Sequence, residues 1–288
     1  MKELQLRMYL AVIVLILMNS FVWAQSSVGT KIPASNSGVP NAKTDVKSNK
    51  WKWIAYGDTR TNDNYHRSVL QSIKTNTPDY RFIINVGDLI EDGRNYSLWN
   101  IWQSACDEIL GGTGQTNRPP KYMAVPGNHE YIYESAGFTN WKAYLFGQAQ
   151  QFPNDGKYFY FDYENARFIL LNSETTFTGR QAELLSEAVR TNPHPWLFAF
   201  WHRPIFDFGP KTYESTIHTT WGIPLYNYGC DIMFMGHAHY YVRTKKLNLN
   251  GQMNPPLDTV KGTVQIVTGN GGSPPHSVDE NKIGRAHV

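Results

Sequence analysis

The chain has 288 residues, of which 41% are apolar, 14% aromatic and 18% charged, enough to bury one large core or two small ones. Its formal net charge is only +3 and no Lys/Arg block stands out, so charge gives nucleic-acid binding no support. Two cysteines, Cys106 and Cys230, are too few for a disulfide framework; both read as buried thiols, one in a helical pattern and one opening an apolar strand.

The first residues have the layout of a secretory signal peptide. Lys2 and Arg7 form a positive start, Leu10 to Met18 is unbroken apolar, and Val22-Trp23-Ala24 ends in a small residue. An uncleaved anchor is the rival reading, but Asn19 and Ser20 interrupt the run, which falls short of the ~20 residues of a spanning helix. The expectation is therefore cleavage after residue 24, no stable membrane span afterwards, and an exported protein, secreted or periplasmic. Residues 25–50, rich in Ser, Asn, Lys and Pro, read as a flexible linker, and residues 51–288 as one folded domain.

From Trp51 the pattern alternates. Trp51–Tyr56 predicts a strand followed by Gly57-Asp58-Thr59-Arg60, and a helix follows from near His66 to Lys74. Phe82–Val86 is a second strand, ending in Gly87-Asp88. Leu98, Trp102, Ala105 and Ile109 mark an amphipathic helix closed by Gly111-Gly112. Tyr122–Val125 is a third strand, leading into Gly127-Asn128-His129-Glu130. Tyr158–Asp162 and Ala166–Leu171 read as a hairpin, and Thr178 with Gln181 as a capping box opening a helix that Pro193 stops. Trp196–Trp201 is a strand ending in His202-Arg203-Pro204, while 210–229 carries no clear signal. Ile232–Met235 runs into Gly236-His237-Ala238-His239, and Tyr240–Leu247 and Thr263–Val267 complete the strands. Strands alternate with helices early and hairpin-like strands dominate later, which predicts one α/β domain with two sheets.

Five of these strands stop at residues of metal-ligand type: Asp58, Asp88, Asn128 with His129, His202, and His237 with His239. In α/β sheets, ligands bind beyond the carboxyl ends of strands, where such loops converge. Any one ending is an ordinary turn; five in one domain point to a shared site. Carboxylates and an amide oxygen suit hard ions, imidazoles suit Fe, Mn or Zn, and the absence of cysteine among them argues against a structural zinc.

On these motifs the chain resembles the calcineurin-like metallophosphoesterase superfamily, and most closely purple acid phosphatases and their bacterial relatives, from about Trp51 to Gly272. The resemblance implies a four-layer α/β/β/α sandwich of two mixed β-sheets flanked by helices. It also implies hydrolysis of small-molecule phosphate esters by hydroxide activated at two metal ions. Asp88 would bridge the ions, Asn128, His202 and His237 would complete one, and Asp58 and His239 would serve the other. His129 would be the general acid or hold the phosphate. Monoester and diester substrates are not distinguished, and a non-catalytic phosphate- or metal-binding protein of the same fold is the alternative.

Two positions depart from the resembled pattern. Arg60 stands where a histidine ligand is common, and Glu91 where purple acid phosphatases carry a metal-binding tyrosine. Arginine offers no lone pair to a metal. His66, eight residues after Asp58, is therefore a candidate for the missing imidazole, and Arg60 a candidate phosphate-binding residue.

Overall fold

The computed structural model describes residues 18–19, 50–111, 121–131, 134–146, 153–209, 213–250, 256–279 and 286–287. Most of the leader and linker, together with Gly112, lie outside the described residues. Two sheets form the centre. In the first, β2 (Lys50–Tyr56), β3 (Tyr80–Asn85) and β4 (Tyr122–Ala124) are all parallel, and the two-residue β1 (Met18–Asn19) adds antiparallel to β2. The second is mixed. Its parallel centre is β6 (Ala166–Leu170), β7 (Trp196–Phe200), β8 (Ile232–Met235) and β10 (Val264–Thr268). Antiparallel β5 (Phe159–Tyr163) lies at one edge, and β9 (Tyr241–Thr244) with β11 (Ala286–His287) at the other.

Side chains of a strand alternate between faces, and here both faces are apolar, so each strand reads as a continuous hydrophobic run. Phe168, Phe198, Phe200 and Phe234 turn toward the first sheet and surround Trp53, with ring centroids 5.2–5.5 Å from its ring. Ile169, Leu197, Ala199 and Met233 turn the other way, into a second core with Leu185, Ala188 and Val189 of α3 (Arg180–Arg190). On the far side of the first sheet, α1 (Asp63–Asn76) buries Val69, Leu70 and Ile73, and α2 (Tyr96–Leu110) buries Trp99, Trp102, Ala105 and Cys106. The result is the four-layer α/β/β/α order. Both cysteines are buried free thiols.

Helix α1 starts at an Asn62 cap, whose side chain accepts from the Tyr65 N–H, and α2 ends at Gly111 in the left-handed conformation, φ 73°. The expected capping box at Thr178 does not form. Gly179 (φ 68°) takes the cap position of α3 without a side-chain bond, and Gln181 is drawn inward to Asn172, accepting from its N–H at 2.7 Å and donating to its carbonyl at 3.1 Å. A long-range bond to a buried loop outcompetes the local cap. The strand expected over Tyr240–Leu247 is only four residues long, and the uncharacterised stretch before β8 folds into short helical turns over Ser215–Asn227. Among the described residues no helix is long and apolar enough to cross a membrane.

Trp53 is fully buried between the sheets, and its replacement leaves a cavity among rings of β3, β6, β7 and β8 that these strands cannot close. Trp53→Ala is expected to lower unfolding stability by about 3–5 kcal/mol. A denaturant titration checks this; a midpoint within 1 kcal/mol of the parent (on the order of ordinary surface substitutions) would show that the inter-sheet core does not depend on it.

Candidate metal centre

The carboxyl ends of β2, β3, β4, β7, β8 and β10 open on one edge, and backbone bonds tie their loops together. Gly57 N–H donates to Thr268 O (3.0 Å), joining the two sheets, and Asp58 N–H donates to Gly87 O (2.8 Å). Asp58, Asp88 and His237 all sit in the left-handed region, at φ 55°, 53° and 64°. Asp and His tolerate that region better than most residues, and the strain is of the kind kept where side chains must be aimed. The glycines beside them serve close approach. A Cβ on Gly127 would collide with the Asp88 carboxylate, and one on Gly236 with the Asp58 carboxylate.

Three donor atoms converge from separate loops. His202 Nδ1–H donates to Val86 O at 2.8 Å, which turns Nε2 toward Asp88 Oδ1 (3.3 Å) and Asn128 Oδ1 (3.2 Å). Donors held at about 2.1 Å from one ion lie roughly 3.0–3.4 Å apart, so this spacing fits a metal. Asp58, Asp88 and His202 also form a compact, fully buried group of potential ligands. The His237 ring meets the His202 ring edge-on at 5.0 Å, while the His237 backbone N–H donates to both Asp58 oxygens at 3.0 Å. His239 donates from Nδ1 to Pro274 O (2.8 Å) and presents Nε2 to Asp58 Oδ1 at 3.5 Å.

The electrostatics are those of a site built around positive charge. Burial, reinforced by the neighbouring Asp88, pushes the Asp58 carboxyl up to about 8. Burial pushes Asp88 in the same direction, yet the His202 and His129 rings outweigh it and hold its carboxyl well below the usual range. His202 is the counterpart: burial opposes its charge, but Asp88 and Asp58 raise it to about 10. His239 goes the other way, lowered to about 4 by burial and by the adjacent His276.

His129 stands at the rim, donating from Nδ1 to Glu91 O at 2.6 Å, with Nε2 3.8 Å from Asp88 Oδ2. Its backbone N–H donates to Asp88 Oδ1 at 3.0 Å. Arg60 lies across the opposite side of Asp88, its Nε 3.3 Å from Oδ2. The structure thus brings together Asp58, Asp88, Asn128, His129, His202, His237, His239 and Arg60. It does not bring His66 to them. The Asn62 cap starts α1 so that His66 faces the layer between helix and sheet, where Nε2 meets the Tyr56 hydroxyl at 3.1 Å. That hydroxyl is bonded to Tyr122 (2.8 Å), which accepts from Asn85 Nδ2 (2.9 Å), and burial drives His66 down to about 3.

Sequence reasoning assigned no part to Glu130, although it closes the Gly-Asn-His-Glu motif. Its fully buried carboxylate accepts four backbone N–H groups: Asp88 (2.9 Å) and Gly127 (2.8 Å) on Oε2, Leu89 (2.7 Å) and Ile90 (3.4 Å) on Oε1. It therefore pins the loop of Asp88 to the loop of Asn128 and His129. His276, which no motif singles out, stacks its ring on His239 with centroids 4.0 Å apart, and its Nδ1 accepts from the His239 backbone N–H. Arg203 pairs with Glu174 through three contacts of 2.8–3.0 Å and places Nη1 3.5 Å from His237 Nε2.

The sequence pattern of the calcineurin-like phosphoesterases matches residues 53–241. Among curated proteins, the chain is 28% identical over 186 residues to purple acid phosphatase 15 of Arabidopsis thaliana, covering 61% of this chain and 32% of that one. It is 27% identical to acid phosphatase type 7 of Homo sapiens, covering 52% of this chain and 40% of that one. The chain thus spans less than half the length of these curated relatives. Among solved structures, a purple acid phosphatase from yellow lupin seeds superposes with a TM-score of 0.63 at 17% identity, over 84% of this chain and 50% of that one. GAP50 of Plasmodium does so with 0.57 at 13%, over 83% and 77%. At these identities the structural likeness concerns the fold.

Replacing one Glu130 oxygen by an amide sets an NH₂ against N–H donors. Glu130→Gln is expected to cost about 1–3 kcal/mol. An unaltered urea midpoint would mean the two loops hold each other without it.

Proposed function

The chain belongs to the calcineurin-like phosphoesterase family, and from that premise we propose that it is a metal-dependent hydrolase of phosphate esters. The observation that carries the reading is the convergence of Asp88 Oδ1, Asn128 Oδ1 and His202 Nε2 at ligand spacing on the carboxyl edge of the strands. In the proposal Asp88, Asn128 and His202 hold an ion with His237 beside them, and Asp58 and His239 stand on the far side of Asp88. A bound ion of the Fe, Mn or Zn class supplies a lowered pKa for water and neutralises phosphoryl oxygens.

The chain's own groups do the rest. His202 is fixed in orientation by Val86 O, which aims Nε2 at Asp88 and Asn128. His129 is anchored through Nδ1 to Glu91 O, which leaves Nε2 as the atom to give a proton to the departing oxygen. Nothing among these residues is a covalent nucleophile of the serine or cysteine kind, which favours direct attack by water. Monoesters and diesters both fit this chemistry. Residues 1–24, with their leader-like layout, support placing the reaction outside the cytoplasm.

The full chain is expected to hydrolyse an aryl phosphate and to lose that activity on chelation, recovering it when metal is restored. Activity that survives complete metal removal would overturn the proposal, and metal binding without turnover would leave a binding protein. Assaying mono- and diaryl phosphates side by side separates the two ester classes.

His129→Ala is expected to keep its metal and lose about 10²–10⁴ in kcat on alkyl phosphates, with a smaller loss on nitrophenyl phosphate, whose leaving group needs little protonation. Equal losses on both substrates would make His129 a positioning residue instead.

A further inference from the structure

The two positions that depart from the resembled pattern are partners. Arg60 Nη1 donates to Glu91 Oε2 at 2.5 Å, and the Thr61 hydroxyl donates to the same oxygen at 2.7 Å. The remaining nitrogens are also engaged: Nε lies 3.3 Å from Asp88 Oδ2, and Nη2 lies 3.4 Å from His239 Nε2. The Arg60 backbone N–H donates to Asp88 O at 3.3 Å, so the loop delivers this side chain to the carboxylate it covers. Only 15% of the arginine side chain is exposed.

Asp88 Oδ2 and His239 Nε2 are the atoms a second ion would need, beside Asp58. Because His239 donates from Nδ1 to Pro274 O, Nε2 carries its one lone pair. That pair serves either an N–H of Arg60 or a metal, not both. A guanidinium is permanently charged, cannot ligate, and repels a cation placed against it. The half of the site around Asp88 Oδ1, Asn128 and His202 fits an ion; the half around Asp88 Oδ2 and His239 does not.

We propose that the chain is a one-metal phosphoesterase in which the Arg60 guanidinium, braced by Glu91, takes the place of the second cation. This rests on the metal-dependent reading above and sets its stoichiometry. Held by Asp88, Glu91 and His239, the guanidinium keeps a fixed positive charge beside the phosphoryl group. It cannot polarise a coordinated water, so Asp88 Oδ1, Asn128 Oδ1 and His202 Nε2 hold the ion that does.

The test is the ion count of the full-length protein after metal removal and reloading with Mn²⁺, read by elemental analysis and by electron paramagnetic resonance. The unsubstituted protein is expected to hold one tightly bound ion per chain, with the six-line signal of isolated Mn²⁺. Arg60→His and Arg60→Ala, both loop substitutions checked by thermal melting, are expected to rise toward two ions, with an exchange-coupled signal. Two tightly held ions in the unsubstituted protein would overturn the inference and leave metal-dependent hydrolysis standing. No bound ion at all would overturn both. One ion in the unsubstituted protein and in folded Arg60→His alike would show that Arg60 is not what excludes the second.

Discussion

Two carboxylates with no access to water govern this edge of the molecule. Asp58 and Asp88 are both buried, both in left-handed backbone, and close enough to share His202 as a neighbour. Buried charges persist only when paired or bound to metal. The remaining groups of the site can be read as the answer to that demand: the N–H of His237 on Asp58, the N–H of His129 on Asp88, the ring of His202, and the guanidinium of Arg60.

The fold supplies the stiffness that such a site requires. Trp53 locks the two sheets through four phenylalanines, and the Gly57–Thr268 bond joins them again at the site itself. Glu130 then fastens two loops of the first sheet to one another from beneath. Loops built this way behave less like connections than like extensions of the strands. Stiff loops of this kind hold Asp88 Oδ1, Asn128 Oδ1 and His202 Nε2 at ligand spacing.

Much of this was legible in the sequence because the signals were local. Apolar runs that stop at Gly-Asp, Gly-Asn-His and Gly-His-Ala-His announce both the strand and its ligand, since the glycine is what lets the next backbone pass a carboxylate, as Gly127 and Gly236 do. What was not legible depended on distance. Gln181 abandoned its local cap for Asn172, and His66 faced Tyr56 rather than the site, because in each case a buried long-range partner decided the orientation. Glu130 and His276 were missed for the same reason: a carboxylate beneath a loop and a ring stacked on another ring leave no periodic trace. The Arg60–Glu91 pair spans 31 positions, so its members looked like two separate irregularities.

That pairing changes where the chemistry must be concentrated. A guanidinium neutralises phosphoryl oxygens as a cation does, but it offers no coordination position for water. On the one-metal reading proposed above, with Arg60 on one flank of Asp88, the activation of water would fall to an ion on the other flank, beside the residue buried most completely there. His202 is inaccessible to solvent, fixed in orientation by Val86 O, and within 3.3 Å of both Asp88 Oδ1 and Asn128 Oδ1. The same burial that makes its charge depend on Asp88 keeps solvent away from Nε2. On that reading the site is asymmetric, with a fixed charge on the Arg60 side and an exchangeable one on the His202 side.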